Sequence, residues 1–250
     1  MSLPALHPLR STSTATVRHA ELPHGRRRIT IDHRPLAGVS PAMLFDWFTH
    51  LDGTLSYGGR TVSRYLAWHP LDHIRWELDR PATGGGAGEG ARFRIVEAFG
   101  GDPAYAVDVV DRVEKLDETG IRLVTRVAGA IVVQLEHTWS PGSDGTHYVS
   151  VMDLGARSAL MWPVNAWLRR RFPDDMARAW VRHNIEEVGQ LEHLLPALAH
   201  RDAAPVRTAE GSDRRWHAPD EGDVTAHGDL TSGVRHEQDV TGAHLARAVS

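Results

Sequence analysis

A histidine and a glutamate stand four residues apart in the stretch RHNIEEVGQLEHLLP, residues 182–196, and both side-chain types can ligate a metal. They are His183 and Glu187. If the stretch is helical, this spacing places the two side chains one turn apart on the same face. The spacing is also common on exposed helices, so the face points either to a divalent cation or to solvent. The pair alone does not decide between these two interpretations.

The residues around this pair favour a buried face. Trp180 and Leu191 mark apolar turns on either side of it, which is the pattern of a helix that packs into a protein interior. Burying a carboxylate without a partner costs several kcal/mol. Either the two side chains face water, or a positive group neutralises them. A divalent ion would do so.

Further ligand types occur in two stretches outside the helix. WHPLDH supplies His69, Asp72 and His73, and FRIVEAFGG supplies Glu97. Successive side chains of a strand alternate between its faces, so Glu97 shares a face with Phe93 and Ile95 and is expected to point inward. Together with the helix pair, His73 and Glu97 would complete a set of two histidines and two carboxylates. Such a set suits Zn²⁺, and Mn²⁺ and Fe²⁺ accept the same ligand types.

Composition excludes several other kinds of chemistry. The 250 residues include no cysteine, which rules out disulfides, thiolate zinc sites, iron–sulfur clusters and cysteine nucleophiles. The net charge is −4 and the run GRRRIT is short, so a nucleic acid is not expected as a partner. No apolar stretch approaches ~20 residues and the N-terminal stretch lacks the apolar region of a secretory signal. We expect a cytoplasmic protein without a membrane partner.

The first half of the chain alternates strand and helix signals. RITIDHRPL is a predicted strand, and SPAMLFDWFTHL is a predicted helix with Ser40 as its cap and Pro41 at its first position. HIRWEL alternates as a strand does. The glycine-rich ATGGGAGEGA that follows is a linker rather than a phosphate loop, because no Lys-Ser/Thr pair follows it.

The second half predicts an antiparallel meander followed by helices. The β-type runs are ARFRIVEAF, AYAVDVVDRVEKL, IRLVTRVAGAIVVQLEHTW and THYVSVMDL, with turns at DETG and SPGSDG. A shorter helix, bent or broken at Pro163, and a long helix from Pro173 that ends or kinks at Pro196 should follow. The predicted class is α+β, a helix-grip fold in which a curved antiparallel sheet surrounds the long C-terminal helix and a cavity. Its domain is predicted at residues 28–200, between a loosely ordered arm, 1–27, and a disordered tail, 201–250.

Several separated motifs, in order, resemble the 2,4-diacetylphloroglucinol hydrolase and phloretin hydrolase family over residues 41–196. They are RYLAWHPLDHIRWE, RIVEAFGG, DGTHYVSVMDLG and RHNIEEVGQLEHLLP. The resemblance implies a Bet v 1-like helix grip and a zinc ion held by His, Glu, His and Glu. The first histidine falls on His73, with His69 as its rival, and the others fall on Glu97, His183 and Glu187.

The resemblance also implies hydrolysis of a carbon–carbon bond between an acyl group and a phenolic ring. The substrate would be an aromatic ketone, an acylated phloroglucinol or a related polyphenol. Tyr65 would contact a phenolic hydroxyl, and Tyr65 and His69 would orient or protonate substrate oxygens. Asp72 could orient a metal-bound imidazole. Trp76 stands where the family uses an amide to hold the substrate, which leaves the substrate's identity open.

Structural roles compete with these functional ones. Tyr65 could be a core aromatic residue, His69 a buried structural histidine, and Asp72 the cap of the turn after Pro70. His137 and Tyr148 lie on opposite arms of one hairpin and either line the cavity or support the core. Glu186, Glu192 and His193 are predicted at the surface. A metal-free carrier of a polyketide or lipid-like molecule is the alternative function, and a homodimer stays open.

Overall fold

An antiparallel sheet of eight strands and a helix of 29 residues form most of the structure. A computed structural model describes residues 5–202 of the chain. The helices are α1 Pro41–Thr49, α2 Arg64–Trp68, α3 Trp162–Arg171 and α4 Asp174–Asp202. The strands are β1 Ala15–Leu22, β2 Arg26–His33, β3 Thr54–Tyr57, β4 Arg60–Ser63, β5 His73–Arg80, β6 Arg92–Ala98, β7 Ala106–Asp117, β8 Gly120–Val127, β9 Ala130–Gly142 and β10 Gly145–Leu154.

The strand order places the candidate ligands at one edge of the large sheet. The order is β1-β2-β10-β9-β8-β7-β6-β5 with antiparallel neighbours, and β3 and β4 form a separate hairpin. In the edge pair, His73 of β5 lies opposite Glu97 of β6. Register shifts in the β5–β6, β7–β8 and β8–β9 pairs mark bulges, at which antiparallel strands bend.

Helix α4 packs its apolar face into the sheet along most of its length. Trp180 and Leu191, predicted for this face, are buried, and so are three further apolar positions of the helix: Met176, Val188 and Leu195. Met176 and Trp180 join a cluster with Ile29 and Ile31 of β2, and the other three join one with α1 and the central strands. The α+β class and the helix-grip arrangement are therefore confirmed by the elements themselves.

The arm predicted as loosely ordered is structured from residue 5 onward. Strand β1 pairs with β2 over its whole length, and the segment before it crosses helix α4. Arg10 forms an ion pair with Glu192 at 2.6 Å, and the Ala37 amide donates to the same carboxylate at 2.7 Å. Glu192, predicted at the surface, thus fastens the arm to the helix. The polar residues of this arm suggested a loosely ordered segment. The arm is ordered because β1 forms its backbone hydrogen bonds with β2, which its own sequence does not reveal.

Three other predictions about elements were wrong or incomplete. Ala128 and Gly129 adopt positive φ angles and turn the chain, so the long run after DETG is two strands, β8 and β9. Pro163 lies in the first turn of α3 rather than breaking a helix, because its missing N–H is not needed there. Pro196 lies inside α4, which continues to Asp202, and the neighbouring Leu194 and Leu195 are buried.

The disordered tail was predicted for residues 201–250. All of it beyond residue 202 lies outside the residues that the structure describes. Within residues 5–202, no helix combines the length and the apolar character needed to cross a bilayer.

Replacing Leu191 with alanine tests how strongly the core holds α4. Leu191 is fully buried, so its truncation leaves a cavity between helix and sheet. We expect the free energy of unfolding, measured by urea denaturation, to fall by about 2–5 kcal/mol. Arg178→Ala, on the exposed face of the same helix, is the matched control and should change it by less than about 1 kcal/mol. A loss no larger than the control's would contradict the packing described.

Candidate metal centre

Four side chains from β5, β6 and α4 converge on one point. The His73 Nε2 atom lies 3.4 Å from Glu97 Oε1 and 3.5 Å from Glu187 Oε2. The His183 Nε2 atom lies 3.7 Å from Glu97 Oε2 and 3.7 Å from Glu187 Oε2. Ligands at ~2.1 Å around a tetrahedral zinc are about 3.4 Å apart. The four separations are close to this length, with Glu97 meeting the two histidines through different oxygens, and one ligand atom each of His73, His183 and Glu187 lies within 4.8 Å of the other two.

The hydrogen bonds of His73 leave a lone pair facing this point. Its Nδ1 lies 2.7 Å from the Tyr65 carbonyl oxygen, which can only accept, so Nδ1 carries the proton. Burial lowers the pKa of His73 to about 3, so the ring is neutral at neutral pH. Its Nε2 is buried and has no hydrogen-bond partner among the described residues. Buried polar atoms normally have a partner, so a buried nitrogen with a free lone pair is a candidate metal ligand.

His69 has the opposite tautomer and faces away. Its Nδ1 accepts from the Asp72 amide at 3.2 Å, so the ring proton is on Nε2, which donates to Glu186 at 3.1 Å. Of the two rival histidines, the geometry therefore brings His73 to the cluster. His69 is fully buried and does not line the cavity, so the structure gives it no contact with substrate oxygens. Glu186, predicted to be solvated, has a side chain only 14% exposed because it pairs with this imidazole.

Asp72 holds the second histidine of the cluster. His183 Nδ1 donates to Asp72 Oδ2 at 3.0 Å, and the amides of Gly100 and Gly101 donate to the same carboxylate at 2.8 and 3.0 Å. Burial would raise the pKa of Asp72, but the His183 hydrogen bond and the Gly100 amide lower it to about 2. The ionised carboxylate fixes the His183 ring with Nε2 toward the cluster. This is the orienting position expected for Asp72, and it is more than a turn cap.

The cluster carries a shortage of positive charge. Burial would lower the pKa of His183, but Asp72, Glu97 and Glu187 together raise it to about 9. Three carboxyl groups thus surround one imidazole that stays protonated at neutral pH, while the His73 imidazole is neutral. A divalent cation would supply the missing charge and would displace the proton on His183 Nε2.

A neutral donor occupies one oxygen of each glutamate. Asn184 Nδ2 donates to Glu187 Oε1 at 2.7 Å, and the Tyr65 hydroxyl donates to Glu97 Oε1 in a short hydrogen bond. Burial and the charge of Glu97 raise the pKa of Tyr65 above its ordinary value, so the phenol stays protonated. Tyr65, expected to contact substrate, therefore also positions a glutamate. Sequence reasoning missed Asn184, although its place three residues before Glu187 puts it within reach on a helix.

A cavity of about 50 Å³ opens beside the cluster. Its apolar wall consists of Phe48, Leu51, Trp68, Trp76, Phe93, Ile95, Ile121, Leu123, Leu135 and Trp180. Its polar wall consists of Tyr65, Glu97, His137, His183 and Glu187. Trp76 and His137 thus lie where they were predicted, whereas Tyr148 is fully buried and does not line the cavity. This volume holds one or two water molecules, so a phenolic substrate would need the wall side chains to move.

A buried polar chain supports the wall at His137. The Ser150 hydroxyl lies 3.0 Å from His137 Nδ1 and 3.0 Å from His33 Nε2. Burial lowers the pKa of His137 to about 4 and that of His33 to about 3. Both rings are neutral at neutral pH, and His137 presents an uncharged imidazole to the cavity. Sequence reasoning missed Ser150 and His33, because only the register of β2, β9 and β10 brings them beside His137.

No protein-family model and no curated protein matches this sequence. Among solved structures, protein Ms6760 from Mycobacterium smegmatis is 13% identical, covers 71% of this chain and 96% of its own, and has a TM-score of 0.40. A protein from Rhodobacter sphaeroides is 15% identical over 73% of this chain and 99% of its own, with a TM-score of 0.42. Ara h 8.0201 is 12% identical over 68% of this chain and 98% of its own, with a TM-score of 0.34. These similarities carry no conclusion about activity.

The raised pKa of His183 predicts how the metal-free protein responds to pH. The folded pKa of about 9 exceeds the unfolded value of 6.5, so the stabilisation is complete below pH 6.5 and is lost as the pH rises through 9. The loss should be about 3 kcal/mol, measured by urea unfolding in a chelator. Asp72→Asn removes the main partner of His183 and should flatten this dependence. A wild-type profile as flat as that of the variant would contradict the assignment.

Proposed function

We propose that this chain is a zinc-dependent hydrolase that cleaves the carbon–carbon bond between an acyl group and a phenolic ring. The observation that carries the proposal is the cluster of His73, His183 and Glu187, with Glu97 beside both histidines, next to an otherwise mostly apolar cavity. The separated motifs that resemble the diacetylphloroglucinol and phloretin hydrolases give the reaction class.

The donor set fits a divalent cation. Two imidazole nitrogens and two carboxylate oxygens are ligands of Zn²⁺, and of Mn²⁺ or Fe²⁺ as well. The buried Nε2 of His73 has no hydrogen-bond partner among the described residues and is free to ligate a cation. When bound, the cation would act as a Lewis acid for the developing oxyanion and would lower the pKa of water toward ~7.

The reaction balances with water as the only co-reactant. The bond between the acyl carbon and the ring carbon breaks, the acyl carbon gains hydroxyl, and the ring carbon gains hydrogen. The products are a carboxylic acid and the deacylated phenol, and nothing is oxidised or reduced. A ring carbon leaves poorly until it is protonated through a keto tautomer, so the site must move a proton as well as admit water.

The polar wall of the cavity fits these steps. His137 is neutral, with a pKa lowered to about 4, so it can accept a hydrogen bond from a phenolic hydroxyl and orient it. The Tyr65 hydroxyl gives its hydrogen to Glu97, so toward a substrate hydroxyl its oxygen can only accept. The Trp76 indole N–H is buried without a partner among the described residues and lines the cavity. We assign it the role of donor to a substrate oxygen, in place of the family's amide.

A metal-free carrier is the competing function, and the charged cluster weighs against it. The cavity wall includes Glu97, His183 and Glu187, and charged groups of this kind raise the cost of enclosing an apolar molecule. The charged cluster is the feature that separates the two functions.

Metal analysis of the purified protein tests the cluster. We expect about one zinc per chain, and its removal by a chelator should lower the melting temperature, because the ion binds only the folded state. His183→Ala and Glu187→Ala should abolish stoichiometric binding, and Asn184→Ala should weaken the affinity about 10–100-fold. His193→Ala, on the exposed side of the same helix, is the control and should bind normally. A metal-free wild type that takes up no zinc, manganese or iron on titration would remove the hydrolase proposal.

A panel of acylphenols incubated with metal-loaded protein tests the reaction. We expect carboxylic acid and deacylated phenol to form in equal amounts. Trp76→Phe should raise KM by about tenfold, the loss of one hydrogen bond, whereas Trp167→Phe on the exposed surface should not change it. If the protein holds one metal per chain but turns over no acylphenol, the metal site stands and the proposed reaction is wrong.

A further inference from the structure

The surface around α3 exposes large apolar side chains. Leu160 is 89% exposed, Trp162 65% and Trp167 39%. Three exposed arginines accompany them, and we define the six residues as the Trp162 patch: Arg157, Leu160, Trp162, Trp167, Arg170 and Arg171. Two tryptophans on an outward surface are unusual, because burial of each would contribute a large hydrophobic free energy.

Asn165 fastens α3 to the rest of the fold. Its side chain is buried, with Oδ1 accepting from the Ala156 amide at 2.7 Å and Nδ2 donating to the carbonyls of His24 and Ala156 at 2.8 and 3.0 Å. These three hydrogen bonds hold the helix against the β2 and β10 ends. Trp162, at the first position of the helix, and Trp167, on the side away from Asn165, both stay exposed outside this contact.

The patch is positively charged although the chain as a whole carries −4. Residues 154–173 contain four arginines and no acidic residue. Asp153 and Asp174, which flank this segment, pair with Arg28 and Arg27 of β2 at 2.6 and 2.9 Å. Arg169 pairs with Glu21. The three arginines of the patch have no ion pair within the part of the chain that the structure describes.

The charge excludes one kind of partner and favours another. A symmetric dimer through this patch would place the three arginines of one copy against those of the other, which is unfavourable. An anionic bilayer offers phosphates to the arginines and an interfacial layer in which protruding tryptophan and leucine side chains are stable. We propose that the Trp162 patch docks the protein on an anionic membrane surface. This departs from the expectation of no membrane partner and does not depend on the proposed hydrolase activity.

Co-sedimentation of the full chain with vesicles tests the proposal. Vesicles of phosphatidylcholine with phosphatidylglycerol should bind the protein, vesicles of phosphatidylcholine alone should bind it at least about tenfold more weakly, and salt should weaken the binding. Arg170→Glu with Arg171→Glu should lower the partition coefficient about tenfold or more. Arg18→Glu with Arg80→Glu makes the same charge change on exposed strand positions and should leave it unchanged.

The apolar residues need their own pair of variants. Leu160→Ser with Trp162→Ser should abolish sedimentation with the anionic vesicles, and Leu6→Ser, at another exposed leucine, should not. Absence of sedimentation with anionic vesicles would overturn the proposal. So would a concentration-dependent dimer in sedimentation velocity that Trp162→Ser dissolves, because the patch would then contact a second copy. All variants must give the wild-type circular dichroism spectrum, since α3 has to be folded for the comparison.

Discussion

The hydrogen bond between His183 and Asp72 ties the long helix to the edge of the sheet where charge is buried. Asp72 also accepts from the Gly100 and Gly101 amides in the turn after β6. One carboxylate thus fixes the segment before β5, the turn after β6 and the middle of α4. The ionised state of Asp72 and the orientation of His183 depend on each other, because each is the other's main partner. This contact and the charges of Glu97 and Glu187 together hold the His183 Nε2 toward the cluster.

Each of the other three side chains of the cluster is also held by a hydrogen bond. His73 is held through its Nδ1 by the Tyr65 carbonyl, Glu97 by the Tyr65 hydroxyl, and Glu187 by Asn184. In His73, His183 and Glu187 the hydrogen bond is made by the atom other than the potential ligand atom, which is how metal ligands are oriented in proteins, whereas in Glu97 Tyr65 bonds the oxygen that faces His73. Tyr65 contributes twice, through its backbone and its side chain. Burying these polar groups is unfavourable, and the apolar packing of α4 in the two clusters on either side of them offsets that free energy.

The positions of the cluster residues that follow from helix and strand periodicity could be predicted from the sequence. The tautomers of the His69 and His73 rings could not. Helical spacing brought His183 and Glu187 to one face, and strand alternation turned Glu97 inward. The choice between His69 and His73 depends on which backbone group each ring meets: His73 Nδ1 meets the Tyr65 carbonyl of α2, and His69 Nδ1 meets the Asp72 amide just before β5. Glu186 was predicted in solvent for a similar reason, since its partner is fixed by tertiary contact rather than by spacing. Strand β1 was missed because its stability comes from β2.

The cavity beside the cluster determines which molecules can reach the four side chains. A volume of about 50 Å³ keeps the cluster nearly dry, which strengthens every electrostatic interaction in it. The same closure excludes an aromatic ketone until part of the wall moves. The one wall residue that is both on the edge strand and only partly buried is Trp76, whose indole N–H lacks a partner among the described residues. A side chain at an edge can swing without breaking a strand pair on its far side, so under the proposed function Trp76 would serve both entry and recognition. The spare donor of Trp76 is then satisfied only when the cavity is filled.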